Sequence, residues 1–252
     1  MLQPTSPNLT GANPKIMAQP LDVLITGGTG YVGQRLIGEL LAREHRVRAL
    51  ARQSSTSRVP AGASVVVGDA LNAESVAVAL KPGDTVVHLV GTPHPSPAKA
   101  KEFQRVDLPS IRATVAAARR VRISHLIYVS VAQPAPVMRA YLEVRAAGEA
   151  MIREAKLTAT ILRPWYVLGP GHWWPVALLP LYKITELLPS TRESAQRLGL
   201  VTLKQMVQAL VGAVENPPEA GMIRIVDVPG IRSGSRRNFH PHFYPLPSRE
   251  RR

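Results

Sequence analysis

The stretch LDVLITGGTGYVG, residues 21–33, decides the fold. Its first six residues form an apolar run typical of a buried strand, and apolar residues then recur at helical spacing from Val32 to Leu41. A strand, a tight glycine turn and the start of a helix therefore follow one another directly. This order predicts the first half of a βαβ unit.

The alternation of short apolar runs with longer amphipathic stretches continues to residue 232. Further strands are predicted at 45–50, 64–68, 84–90, 125–131 and 158–163, and helices at 72–80, 99–120 and 139–155. Strands rich in Val, Ile and Leu that alternate with helices indicate a parallel sheet covered on both faces. The predicted fold class is α/β, a doubly wound parallel sheet of the Rossmann type.

The domain organisation follows from where this alternation starts, changes and stops. From about residue 164 the chain becomes rich in Pro and Trp, with a helix predicted at 202–215 and a late strand at 221–228, which indicates a small C-terminal substrate lobe. Residues 1–20 and 233–252 are rich in proline and have no periodic apolar face, so both are predicted to be disordered tails. The nucleotide-binding domain with its lobe is therefore expected at 21–232.

Composition excludes several classes of protein. The chain of 252 residues has no cysteine, which rules out disulfide scaffolds, thiolate metal sites and cysteine nucleophiles. The histidines have no spacing that suggests a metal site, so none is predicted. A net charge of +14 favours anionic ligands. The basic tail has no repeated motif, so no specific nucleic acid partner is expected, and peripheral contact with a membrane surface stays open.

The location is expected to be cytoplasmic. Residues 1–20 have no uninterrupted apolar core, and so no signal peptide is predicted. Residues 164–182 contain no Asp, Glu, Lys or Arg, but four prolines and two glycines interrupt them. No transmembrane span is predicted, since internal proline breaks the hydrogen-bond ladder that a lipid environment demands.

The glycine turn is a candidate site for the phosphates of a dinucleotide. Gly27 would allow the tight turn, Gly30 the approach of the backbone to a pyrophosphate, and Gly33 the close packing of helix on strand. The N–H groups at the start of the helix would face the phosphates. The predicted cofactor residues of this segment are Gly27, Thr29, Gly30, Tyr31, Val32 and Gly33. The alternative is a purely structural turn.

The end of the second strand indicates which dinucleotide is bound. An acidic residue that binds a ribose 2′-hydroxyl is expected there, but the sequence has Arg52, followed by Gln53. A guanidinium suits a 2′-phosphate and cannot accept a hydrogen bond from a hydroxyl. NADP is therefore the predicted cofactor, with NAD as the second choice. The alternative is that Arg52 is only a solvated loop charge.

Residues after the third and fourth strands are expected to border the same cofactor. Asp69 and Ala70 follow the third strand, where a side chain can reach the adenine edge, and Gly91 and Thr92 follow the fourth. For Asp69 the alternative is a cap of the next helix.

Taken together, these motifs resemble the short-chain dehydrogenase/reductase superfamily, especially its atypical NmrA-like and nucleoside-diphosphate-sugar-epimerase-like NAD(P)-binding members. The resemblance covers roughly residues 21–232. It rests on the glycine loop, Gly68-Asp69, Ser130, the segment from Tyr141 through Arg145 to Glu149, and the segment from Arg163-Pro164 to Gly169-Pro170-Gly171.

The resemblance implies a reaction centre. In the superfamily it consists of a Ser or Thr at the end of the fifth strand, a Tyr, and a Lys four residues later, which here are Ser130, Tyr141 and Arg145. Arg145 thus replaces the usual lysine that holds the nicotinamide ribose, and Asp107 stands where extended members commonly have Asn. Pro164 belongs to the segment that lines the nicotinamide end.

The predicted function is that of an NADP(H)-dependent oxidoreductase or epimerase-like enzyme that acts by hydride transfer. The apolar and aromatic run at 172–182 suggests a small apolar carbonyl or hydroxyl substrate, although it could equally form an ordinary lobe core. The alternative function is a non-catalytic NAD(P)-binding redox sensor or assembly subunit, which the replacement at Arg145 favours.

Overall fold

The computed structural model describes residues 19–133, 138–170, 199–234 and 242–243. In this part of the chain the strands are β1 Asp22–Thr26, β2 Arg46–Ala51, β3 Ser64–Val67, β4 Thr85–His88, β5 His125–Val129, β6 Ala159–Leu162, β7 Tyr166–Leu168, β8 Leu200–Thr202, β9 Ile223–Val226 and β10 His242–Phe243. The α-helices are α1 Tyr31–Leu41, α2 Ala73–Ala79, α3 Ala100–Glu102, α4 Leu108–Val121, α5 Arg139–Glu154, α6 Leu203–Glu215 and α7 Val228–Ser233.

The main sheet confirms the predicted fold class. Its strand order is β10-β9-β6-β5-β4-β1-β2-β3, and all neighbours are parallel except β10, which runs antiparallel to β9. The chain leaves β1 in one direction through β2 and β3 and returns to the other side of β1 at β4. This reversal is the point at which doubly wound sheets bind ligands.

The sheet is buried on both faces because its central strands are apolar at successive positions. Val23 and Ile25 of β1 pack on one face with the apolar sides of α1 and α6. Leu24, between them, points to the opposite face and packs with α2, α4 and α5. All three side chains are fully buried, which is what the run LDVLIT predicts for a strand covered on two sides.

The edge strand β3 is the exception to this burial. Val65 and Val67 on it are 42% and 57% exposed. At the opposite edge the short strand β10 pairs with β9, within the stretch that the sequence predicts to be a tail.

The approach to α4 departs from the single helix predicted at 99–120. A 3₁₀ turn at Pro97–Lys99 leads into α3, a π turn follows at Phe103–Asp107, and α4 begins at Leu108. A π turn inserts an extra residue into a helix and often occurs at functional sites. Here it contains two buried side chains, Phe103 and Asp107.

Beyond β6 the predicted lobe is described only in part. Strands β7 and β8, which the sequence analysis did not predict, form a small parallel sheet of their own, and the predicted helix at 202–215 is present as α6. The apolar run at 172–182 lies outside the described residues. Within those residues, no helix combines the length and apolarity that a membrane span requires.

Candidate functional site

A cleft of about 470 Å³ opens at the carboxyl ends of β1 to β4. The loop after β1 forms its floor, the segments after β2 and β3 form one end, and the segment after β4 forms the other. Seven predicted cofactor residues line it together: Gly27, Thr29, Gly30, Arg52, Asp69, Ala70 and Gly91.

The floor of the cleft can only be built from glycine at key positions. Gly27 has φ +79°, and a Cβ there would lie 2.7 Å from the carbonyl carbon of Leu89. A Cβ on Gly33 would overlap the carbonyl oxygen of Gly27, so Gly33 allows α1 to rest directly on the loop. No side chain caps the start of α1 at Gly30, and the helix therefore offers its first backbone N–H groups and the positive end of its dipole to an anion.

One end of the cleft is basic. Arg52 follows β2 and precedes a 3₁₀ turn at Gln53–Arg58, which carries Arg58 back to the same cleft wall. Arg58 donates a hydrogen bond from Nη2 to Ser55 Oγ at 3.0 Å, and Ser55 also lines the cleft. Gln34 on α1 donates to the carbonyl oxygens of Thr29 and Arg58 and so ties the basic turn to the glycine loop.

Asp69, which follows β3, lines the same end of the cleft. Its carboxylate accepts a hydrogen bond from the N–H of Leu71 at 3.0 Å, and its own N–H donates to Ser75 Oγ. The cap of α2 is Asn72, which accepts from the N–H groups of Glu74 and Ser75. The helix-capping alternative for Asp69 is therefore not realised.

At the other end of the cleft, Arg145 lies behind the wall rather than in it. A Cβ on Gly91 would overlap Arg145 Nη2, so the guanidinium rests against the far side of that glycine. Nη2 donates to Asp107 Oδ1 at 2.7 Å, and Nη1 donates to the Val129 carbonyl oxygen at 3.1 Å. Arg145 is 6% exposed and Asp107 is 1% exposed, which makes this a buried ion pair.

The charge of Arg145 is stabilised by its surroundings. Burial opposes the charge, but the phenol groups of Tyr141 and Tyr128 and the carboxylate of Asp107 outweigh it and raise the pKa of Arg145. Its guanidinium carbon lies 5.0 Å from the ring centroid of Tyr141 and 5.8 Å from that of Tyr128. Both distances are typical of cation–π contacts. Arg145 thus remains a permanent cation beside Tyr141.

Tyr141 occupies the first turn of α5, one helical turn before Arg145. Its ring is half-buried and packs against Phe103 with the ring centroids 5.0 Å apart. Two of the three predicted catalytic residues, Tyr141 and Arg145, are therefore in direct contact.

Ser130 is bonded to a different carboxylate from the one that pairs with Arg145. It is 2% exposed, and its Oγ donates a hydrogen bond to Glu149 Oε1 at 2.7 Å. Glu149 also accepts from Arg163, Arg153 and Gln133. Burial tends to raise the pKa of Glu149, but the hydrogen bonds and charges of Arg163, Ser130 and Arg153 outweigh it and hold that pKa below its usual range. The Ser130 hydroxyl therefore donates its hydrogen bond to this ionised carboxylate.

The remaining predicted cofactor residues do not line the cleft. Gly33 and Pro164 are buried, Val32 is half-buried, and Tyr31 is 37% exposed. The Tyr31 hydroxyl lies against Gly169, where a Cβ would overlap it. Pro164 accepts a hydrogen bond from the N–H of Ala132 through its carbonyl oxygen, at 3.0 Å. Several further residues that line the cleft were not predicted from the sequence, namely Ser55, Arg58, Leu71, Glu102 and Val106.

A family model described as NAD(P)H-binding matches residues 27–170. The match spans more than half of the 252 residues and includes the glycine loop, the basic turn, the Gly91 wall and the Tyr141–Arg145 pair. The chain belongs to this NAD(P)H-binding family.

Known proteins agree with this assignment. A ceramide reductase from Caulobacter vibrioides is 28% identical over 209 residues, which are 82% of this chain and 64% of the reductase. A short-chain dehydrogenase/reductase superfamily protein from Agrobacterium tumefaciens, solved with bound NAD, superposes with TM-score 0.59 at 18% identity, over 81% of this chain and 76% of that one. A UDP-N-acetylglucosamine 4-epimerase from Bacillus cereus gives TM-score 0.59 at 19% identity, over 82% and 79%.

These comparisons confirm the resemblance to the short-chain dehydrogenase/reductase superfamily. The structural neighbours share the fold, and the family model assigns dinucleotide binding to the segment that forms the cleft. The chain spans 64% of the ceramide reductase and about half the length of the next curated relatives that it matches.

Proposed function

We propose that the protein is an NADP(H)-dependent oxidoreductase that acts by hydride transfer on a small apolar carbonyl or hydroxyl compound. The observation that carries the choice of cofactor is the basic end of the cleft, where Arg52, Ser55 and Arg58 stand after β2. No acidic residue lies between Leu50 and Arg58. Two guanidinium groups and a hydroxyl offer donors to a 2′-phosphate, whereas a 2′-hydroxyl would find no carboxylate acceptor in this turn.

The rest of the cleft fits the same cofactor. The bare glycine backbone and the uncapped start of α1 suit a pyrophosphate. Asp69, which lines the same end of the cleft, would accept hydrogen bonds from an adenine. The far wall at Gly91 and Thr92 would then border the nicotinamide, which when bound supplies or accepts the hydride.

For the chemistry itself we propose Tyr141 as the proton donor, with Arg145 stabilising the phenolate that is left. The two groups are in contact, and Arg145 keeps its charge at any working pH because a guanidinium is intrinsically a strong base and this one is paired with Asp107. Ser130 would orient the substrate oxygen only if its hydroxyl turned away from Glu149. The apolar character of the proposed substrate is supported by the apolar run at 172–182 and by the presence of a ceramide reductase among the relatives.

Cofactor choice is tested by calorimetric titration with NADPH and NADH. NADPH is expected to bind more tightly than NADH. Arg52→Ala should reduce the difference between the two binding free energies by about 1–3 kcal/mol, the scale of a hydrogen bond to a charged group. Arg46→Ala is the matched control, because Arg46 is an exposed arginine at the opposite end of the same strand, paired with Asp22. Equal affinity of the unmodified protein for both cofactors would exclude the proposed specificity.

A second function, a non-catalytic NADP(H)-binding sensor, is favoured by one specific observation. Ser130 and Arg145 are both held in buried networks with carboxylates, Glu149 and Asp107. The choice between enzyme and sensor is tested by following NADPH oxidation with a panel of apolar aldehydes, ketones and quinones.

Tyr141→Phe is expected to abolish turnover while leaving NADPH affinity nearly unchanged, since it removes one hydroxyl and little packing. If Tyr141→Phe turns over the panel at the unmodified rate, Tyr141 is not the proton donor. Tight NADPH binding without turnover of any compound would favour the sensor.

A further inference from the structure

The two oxygens of the Asp107 carboxylate have different partners, one on the wall of the cleft and the other on Arg145. Oδ2 accepts hydrogen bonds from the N–H of Thr92 at 2.9 Å and from Thr92 Oγ1 at 2.6 Å. Oδ1 accepts from Arg145 Nη2 at 2.7 Å. Thr92 lines the cleft, whereas Asp107 is almost fully buried behind it. One side chain therefore connects the wall of the cleft with the cation beside Tyr141.

The π turn makes a second connection to the same helix. Its last residue, Asp107, holds Arg145, and its first residue, Phe103, packs against the Tyr141 ring. Glu102 and Val106, which precede these two residues, line the cleft. Between residues 102 and 107, each residue that lines the cleft is thus followed by one that contacts Tyr141 or Arg145, and a shift of this turn would move both sets of contacts.

Arg145 has little freedom to move independently of Asp107. Its guanidinium is enclosed by the Gly91 backbone, the Val129 carbonyl oxygen and the two tyrosine rings. Breaking a buried ion pair leaves an uncompensated charge, which proteins avoid at considerable energetic cost. The guanidinium is therefore expected to follow the carboxylate, and the carboxylate to follow Thr92.

We infer that Asp107 is a positioning residue that couples occupancy of the cofactor cleft to the placement of Tyr141. It acts through Arg145: contact of the cofactor with the Thr92 segment fixes the carboxylate, the carboxylate fixes the guanidinium, and the guanidinium fixes the Tyr141 ring. The inference rests on the proposed function, because it takes the cleft to bind NADP(H) and Tyr141 to be the proton donor.

The test is an NMR titration of the full-length protein labelled with ¹³C at the ring Cζ of tyrosine. The Tyr141 signal is identified by its absence from Tyr141→Phe. In the unmodified protein it should shift when NADP⁺ is added. In Asp107→Asn the shift should be lost although calorimetry still shows NADP⁺ bound, since an amide of the same shape can serve Thr92 or Arg145 as acceptor but not both.

Asp84→Asn is the matched control. Asp84 forms a buried ion pair with Arg48, at 2.6 Å, and it also accepts from a backbone N–H, but it precedes β4 and so lies at the opposite end of the sheet. This variant should lose comparable stability and keep the full Tyr141 shift. In steady-state assays Asp107→Asn should lower kcat about tenfold or more while the KM for NADPH changes by less than about threefold, the pattern of a lost transition-state interaction.

The outcomes separate this inference from the proposed function. An undiminished Tyr141 shift in Asp107→Asn with NADP⁺ bound, or no shift in the unmodified protein with NADP⁺ bound, overturns the coupling and leaves the cofactor assignment intact. Failure of the unmodified protein to bind NADP⁺ overturns both. If Asp107→Asn does not fold, Thr92→Val removes only the hydroxyl contact. That variant should show a reduced shift at saturating NADP⁺, and a full shift would contradict the coupling.

Discussion

Replacing Gly33 by alanine tests how closely α1 must rest on the glycine loop. An ideal Cβ at this position lies 2.7 Å from Gly28 Cα, about 0.7 Å short of ordinary contact at 3.4 Å, and it also overlaps the Gly27 carbonyl oxygen. Both neighbours are backbone, so no side chain can rotate away to make room. Helix and loop must separate, and the phosphate-binding N–H groups must move with them.

The magnitude follows from two opposing effects. Overpacking of a tight site costs about 1–3 kcal/mol, whereas glycine to alanine within a helix contributes about 1 kcal/mol of stability. Gly38 is the matched control, because it is exposed in the same helix and a Cβ there meets nothing within 4 Å. The free energy of unfolding of Gly33→Ala should thus lie about 1–3 kcal/mol below that of Gly38→Ala.

The assays are urea denaturation for stability and calorimetric titration for NADPH affinity. Gly38→Ala should bind NADPH like the unmodified protein. Gly33→Ala should bind it roughly tenfold or more weakly, as expected for the loss of one or two backbone hydrogen bonds to phosphate. If both variants are equally stable and bind NADPH equally well, close packing at Gly33 does not shape the site.

Two further predictions concern pH. The pKa of Glu149 is lowered in the folded chain, so its carboxylate contributes stability above its ordinary value of 4.5, and that contribution is lost as the pH falls through the folded pKa. Urea denaturation should accordingly show that the free energy of unfolding of Glu149→Gln falls less steeply with decreasing pH than that of the unmodified protein. The same pH dependence in both proteins would contradict this. Burial, aided by Arg145, lowers the pKa of His88 from 6.5 to about 3. As the pH falls below 6.5, His88 is protonated only in the unfolded chain, which lowers the stability of the folded protein. Measurement by ¹⁵N NMR should show a neutral His88 ring down to about pH 4. A His88 ring that titrates near pH 6.5 would contradict the lowered pKa.

The fold was predictable because its signals are local. The run LDVLIT and the glycines after it lie within thirteen residues, and a strand covered on both faces needs no long-range information to be recognised. Arg52 was found for the same reason, since it directly follows a strand. Arg58 was missed because only the 3₁₀ turn brings it back to the cleft, although its place six residues after Arg52 was a usable signal.

The reaction centre was less predictable because its contacts join distant parts of the chain. Ser130 and Glu149 are 19 residues apart, and Asp107 and Arg145 are 38 residues apart. The sequence contained one overlooked signal for the second pair. Asp107 and Arg145 both depart from the superfamily pattern, since Asp107 replaces a neutral Asn and Arg145 replaces a Lys. Two such departures in one chain suggest that the two side chains are in contact. The π turn that makes the contact has no comparable signature.

The two edges of the sheet differ in how they are protected against association with other chains. On one side β10 pairs with Arg224 and Ile225 of β9, so the edge strand there is only two residues long, which limits pairing with another chain. At the other edge, no further strand pairs with β3 in the described part of the chain, and Val65 and Val67 are exposed there, the combination that templates strand addition. Lysine in place of Val67 would act as a gatekeeper there and should improve solubility at high concentration without altering the cleft.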